Sequence, residues 1–160
     1  MTDIPDMLAR LGIVAQTHAH APVLTVEEAR ATWPAIEASH SKNLFLKDAG
    51  GAFWLVCMPA DAPLDLKALP ARIGSKRLRF ASAEDLERLL GVRPGSVSAF
   101  AIVNDRAHAV RLVLDAALMA APRVAFHPLD NARTTVLSPD GVRRFLAAIG
   151  REAAEVRLAG

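Results

Sequence analysis

The stretch Ser41-Lys-Asn-Leu-Phe-Leu-Lys-Asp48-Ala-Gly-Gly51-Ala-Phe53-Trp-Leu-Val-Cys-Met58 decides the fold. Leu44-Phe45-Leu46 and Phe53 to Met58 are apolar runs of strand length, and Asp48-Ala-Gly-Gly51 between them is a turn whose glycines supply positive φ. A β-hairpin follows. Downstream, short apolar runs alternate with single helices. Arg77 to Phe80, Val97 to Val103, Val110 to Leu114, Val124 to Phe126 and Thr134 to Leu137 read as strands, with a last one over Ala154 to Leu158. Leu64 to Ile73 reads as a helix complicated by Pro70, and Ala116 to Ala121 as a short one. Ser82 caps a helix through Leu90, with Glu84 and Asp85 in its first turn, where the dipole favours acids. Ser138 caps the last helix, with Pro139 in its first turn and Gly150 after Ile149 as the stop. Upstream, Ile4, Met7, Leu8 and Leu11 have helical spacing, His18 to Pro22 is a polar loop, and Thr25-Val-Glu-Glu28 is a capping box opening a helix to about Thr32. Hairpin-like strands broken by single helices predict a mixed, mostly antiparallel α+β domain rather than a regularly wound βαβ sheet.

Composition narrows the class. The chain has 160 residues, 52% hydrophobic and 22% charged. That suits one globular domain and excludes a mainly disordered chain. No Gly/Ser-rich linker divides it, so residues 1–160 are expected to form a single domain. No apolar stretch approaches the roughly 18–20 residues of a membrane span. Met1 to Arg10 lacks the apolar core of an export signal. The single cysteine, Cys57, has no internal partner, so a reducing, cytoplasmic setting is expected. Nineteen basic against seventeen acidic residues leave +2, too little for the dense basic stripe of a DNA binder. Two tryptophans, six phenylalanines and no tyrosine make poor material for a platform of stacked bases.

Several chemistries are missing. There is no GxxxxGK[ST] or GxGxxG phosphate loop, no CxxC or HExxH metal pattern, and no GxSxG nucleophile elbow. His18 and His20 flank one alanine in a polar loop and read as solvated. No metal or cofactor is expected. Cys57 lies within an apolar strand and reads as a buried small hydrophobe. Three segments remain. Lys42 and Asn43 stand at the entrance of the first hairpin strand. Gly95-Ser96-Val97-Ser98 is a turn whose glycine permits close backbone approach and whose amides can cradle an anion. Phe126-His127-Pro128-Leu129-Asp130-Asn131 fixes the backbone direction at His127 and brings the donors and acceptor of Asn131 nearby. Taken singly, each is more often structural than catalytic.

Together, in this order, they resemble the YbaK/ProX family of prolyl-tRNA editing domains, and most the free-standing ProXp-ala (PrdX) branch. Lys42-Asn-Leu-Phe-Leu-Lys-Asp48 is the most specific piece. Gly95-Ser-Val-Ser98 with Ala101-Ile-Val-Asn-Asp105, Phe126 to Asn131, His20-Ala-Pro22 and Thr25 to Glu28 support it. The resemblance covers the chain from about His20 to the final helix. It implies a barrel-like sheet with surrounding helices, as in prolyl-tRNA-synthetase-associated domains. It implies a trans-editing hydrolase that cleaves the ester of a mischarged small amino acid, alanine foremost with serine or cysteine as alternatives, on tRNA(Pro). The implied partners are the acceptor end of the mischarged tRNA and, second, prolyl-tRNA synthetase. Lys42 matches the family lysine, with an electrostatic role toward a terminal phosphate or the reacting carbonyl. Asn43 would orient substrate, with Ser96, Val97, Ser98 and Asn131 also on the substrate-binding surface, and the amides around Gly95 and Ser96 would bind the carbonyl oxygen. His127 would order the pocket, contact substrate or act as a base. Close relatives carry proline where this chain has Ala99. The runner-up is a tRNA-end-binding module of the same fold without turnover.

Overall fold

The computed structural model describes residues 3–22, 28, 30, 31 and 37–158. Its elements are α1 (Ile4–Arg10), β1 (Ala15–Ala19), β2 (Ser39–Asp48), β3 (Phe53–Pro59), α2 (Leu69–Ile73), β4 (Leu78–Phe80) and α3 (Ala83–Leu90), then a 3-10 helix (Ala99–Asn104). After these come β5 (Val110–Asp115), α4 (Ala116–Met119), β6 (Val124–Phe126), β7 (Arg133–Leu137), α5 (Pro139–Ala148) and β8 (Ala154–Val156). The capping box at Thr25 and the end of its helix at Thr32 lie outside the described residues.

The expected hairpin is present, with Ser41 opposite Pro59 at one end and Lys47 opposite Phe53 at the other. Its turn is held by a buried carboxylate. Asp48 Oδ1 accepts from the amides of Gly50 (2.9 Å) and Ala52 (3.0 Å). Oδ2 accepts from Trp54 Nε1 (3.2 Å) and the Lys76 amide (3.4 Å). Gly51 takes φ +89°, open to glycine at no steric cost. Burial alone would raise the Asp48 pKa, but the hydrogen bonds from Ala52, Trp54, Gly50 and Lys76 outweigh it and hold the carboxyl below its ordinary value.

The strand order is β1-β7-β6-β2-β3-β5-β8, with β4 attached to β2 off this path. β1–β7, β2–β3, β2–β4 and β6–β7 are antiparallel; β2–β6, β3–β5 and β5–β8 are parallel. This is the mixed, mostly antiparallel α+β architecture expected. One face of the sheet wraps the larger core, with Leu55, Leu114 and Phe126 packing against Leu8, Phe100 and Phe145. Phe100 meets Phe126 and Phe145 edge to face, at 5.7 and 5.2 Å between centroids. The other face carries a smaller core of Leu46, Trp54, Val56, Leu69, Leu78 and Val113. No described helix is long and apolar enough to cross a membrane.

Four local expectations need correction. Val97 to Val103 is not a strand. Ser98 caps the 3-10 helix, its Oγ accepting from the Phe100 amide (3.2 Å), and Ala99 to Ile102 are buried all round. A short apolar run buried on every side carries no period to separate strand from helix. The helix expected from Leu64 begins only at Leu69, because Asp65 ties down the amides of Lys67 and Ala68 in a turn. Pro70 then sits in the first helical turn, where its missing N–H costs nothing. The polar loop around His18 is partly β1, an edge strand too exposed to show alternation. β8 ends at Val156, two residues short of the expected Leu158.

A buried ion pair joins the chain's last third to the 3-10 helix. Arg151 Nη1 meets Asp105 Oδ2 at 3.0 Å, with side chains 8% and 1% exposed. The guanidinium also donates to the carbonyls of Asp105 (3.0 Å) and Val110 (2.7 Å). Asp105 in turn accepts from the amides of Ala109 and Val110. Removing one partner leaves the other charge buried. Arg151→Ala is therefore expected to lower unfolding free energy by about 3–5 kcal/mol, read from urea unfolding with wild type alongside.

Candidate functional site

β3 flanks β2 along Ser41 to Lys47. On the opposite edge, β6 pairs only at Ser39 and His40, and β4 only from Leu46 to Asp48. The Ala81 amide takes the Phe45 carbonyl (3.0 Å), and the Ser41 hydroxyl donates to the Ala125 carbonyl (2.7 Å). Between these ties, Lys42, Asn43 and Leu44 have no strand partner on that edge among the described residues. They border a break in the sheet, and strand alternation sends Lys42 to one face and Asn43 to the other.

On the first face, the register sets His40 beside Ala125 in parallel strands. Lys42 and His127 each lie two residues further on and share that face. The Lys42 ammonium donates to the Ala62 carbonyl. Next to it, Arg30 pairs with Asp61 at 2.7 Å. Burial lowers the Lys42 pKa, Asp61 opposes the shift and Arg30 adds to it. Asp61 offsets the Arg30 charge through their ion pair, so the Lys42 ammonium remains as a partly desolvated net positive charge, which is suited to an anion.

His127 Nδ1 lies 3.1 Å from the Arg133 carbonyl. A carbonyl only accepts, so Nδ1 holds the proton, and in the neutral ring Nε2 keeps its lone pair. The same logic applies to His20, whose Nδ1 is 2.8 Å from the Ala21 carbonyl. Its Nε2, 2.8 Å from Thr134 Oγ1, accepts from that hydroxyl in the neutral ring. The two rings meet edge to face at 6.4 Å. Burial lowers the His127 pKa most; the Arg133 carbonyl opposes the shift, His20 adds to it, and Asp130 opposes it. The following loop is braced. Asp130 accepts from the Ala132 amide (3.0 Å) and Arg133 Nε (2.8 Å), and Leu129 just before it takes φ +72°. Asn131 is half-buried in that loop.

On the second face, Asn43 lies across from Cys57. Its Nδ2 donates to Ser41 Oγ (3.1 Å). Cys57 is fully buried, and burial pushes its thiol pKa up, which makes it inert. Gly95 takes φ +91°, a conformation glycine enters freely. The Ser96 amide closes the turn on the Arg93 carbonyl (3.0 Å). Val97 packs on the larger core, and Ser98, fully buried, is committed to its cap. Lys42 and His127 thus share one face. Asn43 and the 95–98 turn belong to the side of the larger core. Asn131 stays with the His127 loop.

Some neighbours carry no signal in the sequence. Arg30 and Asp61 flank Lys42 only because of the tertiary fold. Ser41 was visible beside Lys42, but its role depends on knowing that Ala125 lies across the break. His20 belongs to the quoted His-Ala-Pro segment, and its contact with His127 comes from β1 and β6 flanking β7. Among the described residues, no three His, Cys, Asp or Glu side chains are grouped to hold a metal ion.

Residues 20–145 match the family model described as an aminoacyl-tRNA editing domain. The chain belongs to the aminoacyl-tRNA editing domain family. It is 39% identical over 132 residues to the prolyl-tRNA editing protein ProX of Acetoanaerobium sticklandii, covering 82% of this chain and 80% of that one. It is 35% identical over 154 residues to the prolyl-tRNA synthetase associated domain-containing protein 1 of Bos taurus, covering 93% and 90%. The fold matches a solved protein described only as hypothetical, with TM-score 0.74 and 24% identity over 97% of this chain and 99% of that one. It also matches a solved candidate trans-editing enzyme for prolyl tRNA synthetase, with TM-score 0.65 and 22% identity over 89% and 86%. The editing-domain segment spans every site residue named above.

The histidine pair makes a pH prediction. The His127 pKa is expected below the ordinary value of about 6.5 in an NMR titration, and His20→Gln is expected to move it upward. Between the lowered value and about 6.5 the unfolded chain holds more protons than the folded one. His127 should therefore make stability fall as pH drops through that window. Titration at or above 6.5 would contradict the burial argument.

Proposed function

We propose that this editing domain hydrolyses the ester joining a wrongly attached small amino acid, alanine first, to the acceptor end of tRNA(Pro). The observation that carries this is the break in the sheet at Lys42–Leu44. It sets a partly desolvated ammonium and the lone pair of His127 on one face and an oriented carboxamide on the other. The names of the relatives supply the tRNA, and prolyl-tRNA synthetase follows as a second partner.

An aminoacyl ester is already activated, so positioning and charge stabilisation suffice. Water adds to the carbonyl carbon, and the bond to the ribose oxygen breaks. One proton of the water ends on the ribose oxygen and the other is released to solvent, since the amino acid departs as a carboxylate. Lys42 holds the terminal phosphate or the carbonyl region. Asn43 orients the aminoacyl end, and His127 Nε2 accepts from the attacking water or from substrate. The carbonyl oxygen is assigned to the Gly95–Val97 turn. Because the Ser96 amide is spent on Arg93, the donors there are its neighbours, Gly95 and Val97. Ser98 acts through the cap and Asn131 through the His127 loop, both as positioning residues. The site serves as a second sieve, admitting what a synthetase pocket cannot exclude by size.

The substitution at Ala99 is compatible with turnover. Ser98 is extended, with φ −155° and ψ 166°, the backbone a residue before proline adopts. Ala99 opens the 3-10 helix, where proline's missing amide is immaterial. The loop therefore keeps the path that proline would impose, which argues against the module without turnover.

A panel of tRNAs carrying alanine, serine, cysteine or proline tests the proposal. Ala-tRNA(Pro) is expected to be deacylated fastest and Pro-tRNA(Pro) spared. Lys42→Ala should lower kcat/KM about 100-fold with an unchanged melting temperature. Equal turnover by variant and wild type would remove Lys42 from the site, and an inert wild type would end the enzyme assignment.

A further inference from the structure

Asn43 is left half-satisfied in an informative way. Ser41 has one hydroxyl proton, and it goes to the Ala125 carbonyl at 2.7 Å. The Ser41 oxygen can therefore only accept from Asn43, and it receives Nδ2–H at 3.1 Å. A flipped carboxamide would set two acceptors against each other. The Asn43 orientation is thus dictated from β6 through Ser41, and its Oδ1 is buried with no hydrogen-bond partner in the protein. A buried acceptor left without any partner typically costs about 1–3 kcal/mol, and such a group calls for an explanation, of which a catalytic or binding role is one. Among the described residues only Asp115 Oδ2 shares this state, and Asp115 already caps α4 through its other oxygen. Asn43 caps nothing and borders the break in the sheet.

We infer that Ser41 is a positioning residue for the reaction, fixing the Asn43 carboxamide so that Oδ1 accepts a hydrogen bond from the aminoacyl–adenosine end of the substrate. This rests on the function proposed above. Two donors on that end share the required chemistry, the α-ammonium of the amino acid and the free hydroxyl of the terminal ribose. Ser41 touches neither. It acts by preventing the carboxamide from turning its donor toward them.

The test is single-turnover deacylation of Ala-tRNA(Pro) by wild type, Ser41→Ala, Ser41→Thr, Asn43→Ala and the Ser41→Ala/Asn43→Ala double variant, with melting temperatures recorded. Ser41→Ala is expected to slow the step about tenfold, the loss for one misplaced hydrogen bond. Ser41→Thr, which keeps a hydroxyl, should recover to within about threefold of wild type. In the Asn43→Ala background, Ser41→Ala should add nothing, since the group it positions is gone. A Ser41→Ala rate equal to wild type, or losses that multiply in the double variant, would overturn the inference. Repeating the comparison with N-acetyl-Ala-tRNA(Pro) separates the donors. A Ser41→Ala effect that disappears assigns the α-ammonium, one that persists assigns the ribose hydroxyl, and both support the acceptor role.

A wild type inert on every mischarged tRNA would overturn the functional reading and the substrate half of this inference. Hydrogen exchange of the Asn43 side-chain amide would then judge the clamp by itself. Slow exchange in wild type lost in Ser41→Ala supports it, and equal exchange in both overturns it.

Discussion

Everything at the site depends on one strand having three partners. β2 is long enough to pair with β3 along most of its length. Its other edge is divided between a parallel strand at the start and an antiparallel strand at the end. Parallel and antiparallel partners run in opposite directions and cannot merge into one continuous neighbour. The edge between them stays open, and Lys42 to Leu44 lie there. A side chain on an open stretch of an otherwise paired strand keeps its backbone rigid, because β3 continues to hold it. Both ends of the opening are tied, by Ser41 on Ala125 at one side and Ala81 on Phe45 at the other.

Burial supplies the site's electrostatics. Lys42 and His127 both shift downward, and in both the largest cause is the loss of water around the charged form. A desolvated cation interacts more strongly with an incoming anion than a solvated one. A desolvated imidazole stays neutral and keeps its acceptor nitrogen over a wider range of pH. Groups perturbed by burial in this way are candidates for a functional site. Cys57 shows the contrast. It is also shifted by burial, but it lies within the larger apolar core, and its shift removes reactivity.

The hairpin was legible because both of its requirements are local: two apolar runs and a turn with Asp48 and two glycines. The helix caps at Ser82 and Ser138 were legible for the same reason, since a capping side chain reaches only its own first turn. The sequence misled where burial erased the period, as in Ala99 to Ile102, and where exposure erased it, as in β1. For the site, the order of motifs was enough to bring Lys42, Gly95 and His127 into one reading. The division of Lys42 and Asn43 between two faces follows from strand alternation once β2 is known to begin at Ser39, five residues before its apolar run. Arg30 with Asp61, and Ser41 with Ala125, are pairs separated by 31 and 84 residues. No local pattern encodes such distances.

The same long-range ties explain how a buried oxygen can be left with no partner in the protein. Left alone, a carboxamide rotates until both ends are bonded. Asn43 cannot, because Ser41 is itself held by a carbonyl on another strand, and that carbonyl belongs to β6, which continues directly into His127. The strand that fixes the carboxamide therefore also delivers the histidine. A shift of β6 relative to β2 would displace both groups together, so the packing of these two strands sets the geometry on either side of the opening at once. The braced loop after His127, with Asp130 gripping Arg133, holds the far end of the same strand. Rigidity at the ends of β6 is thus the condition for a poised acceptor on one face and a poised lone pair on the other.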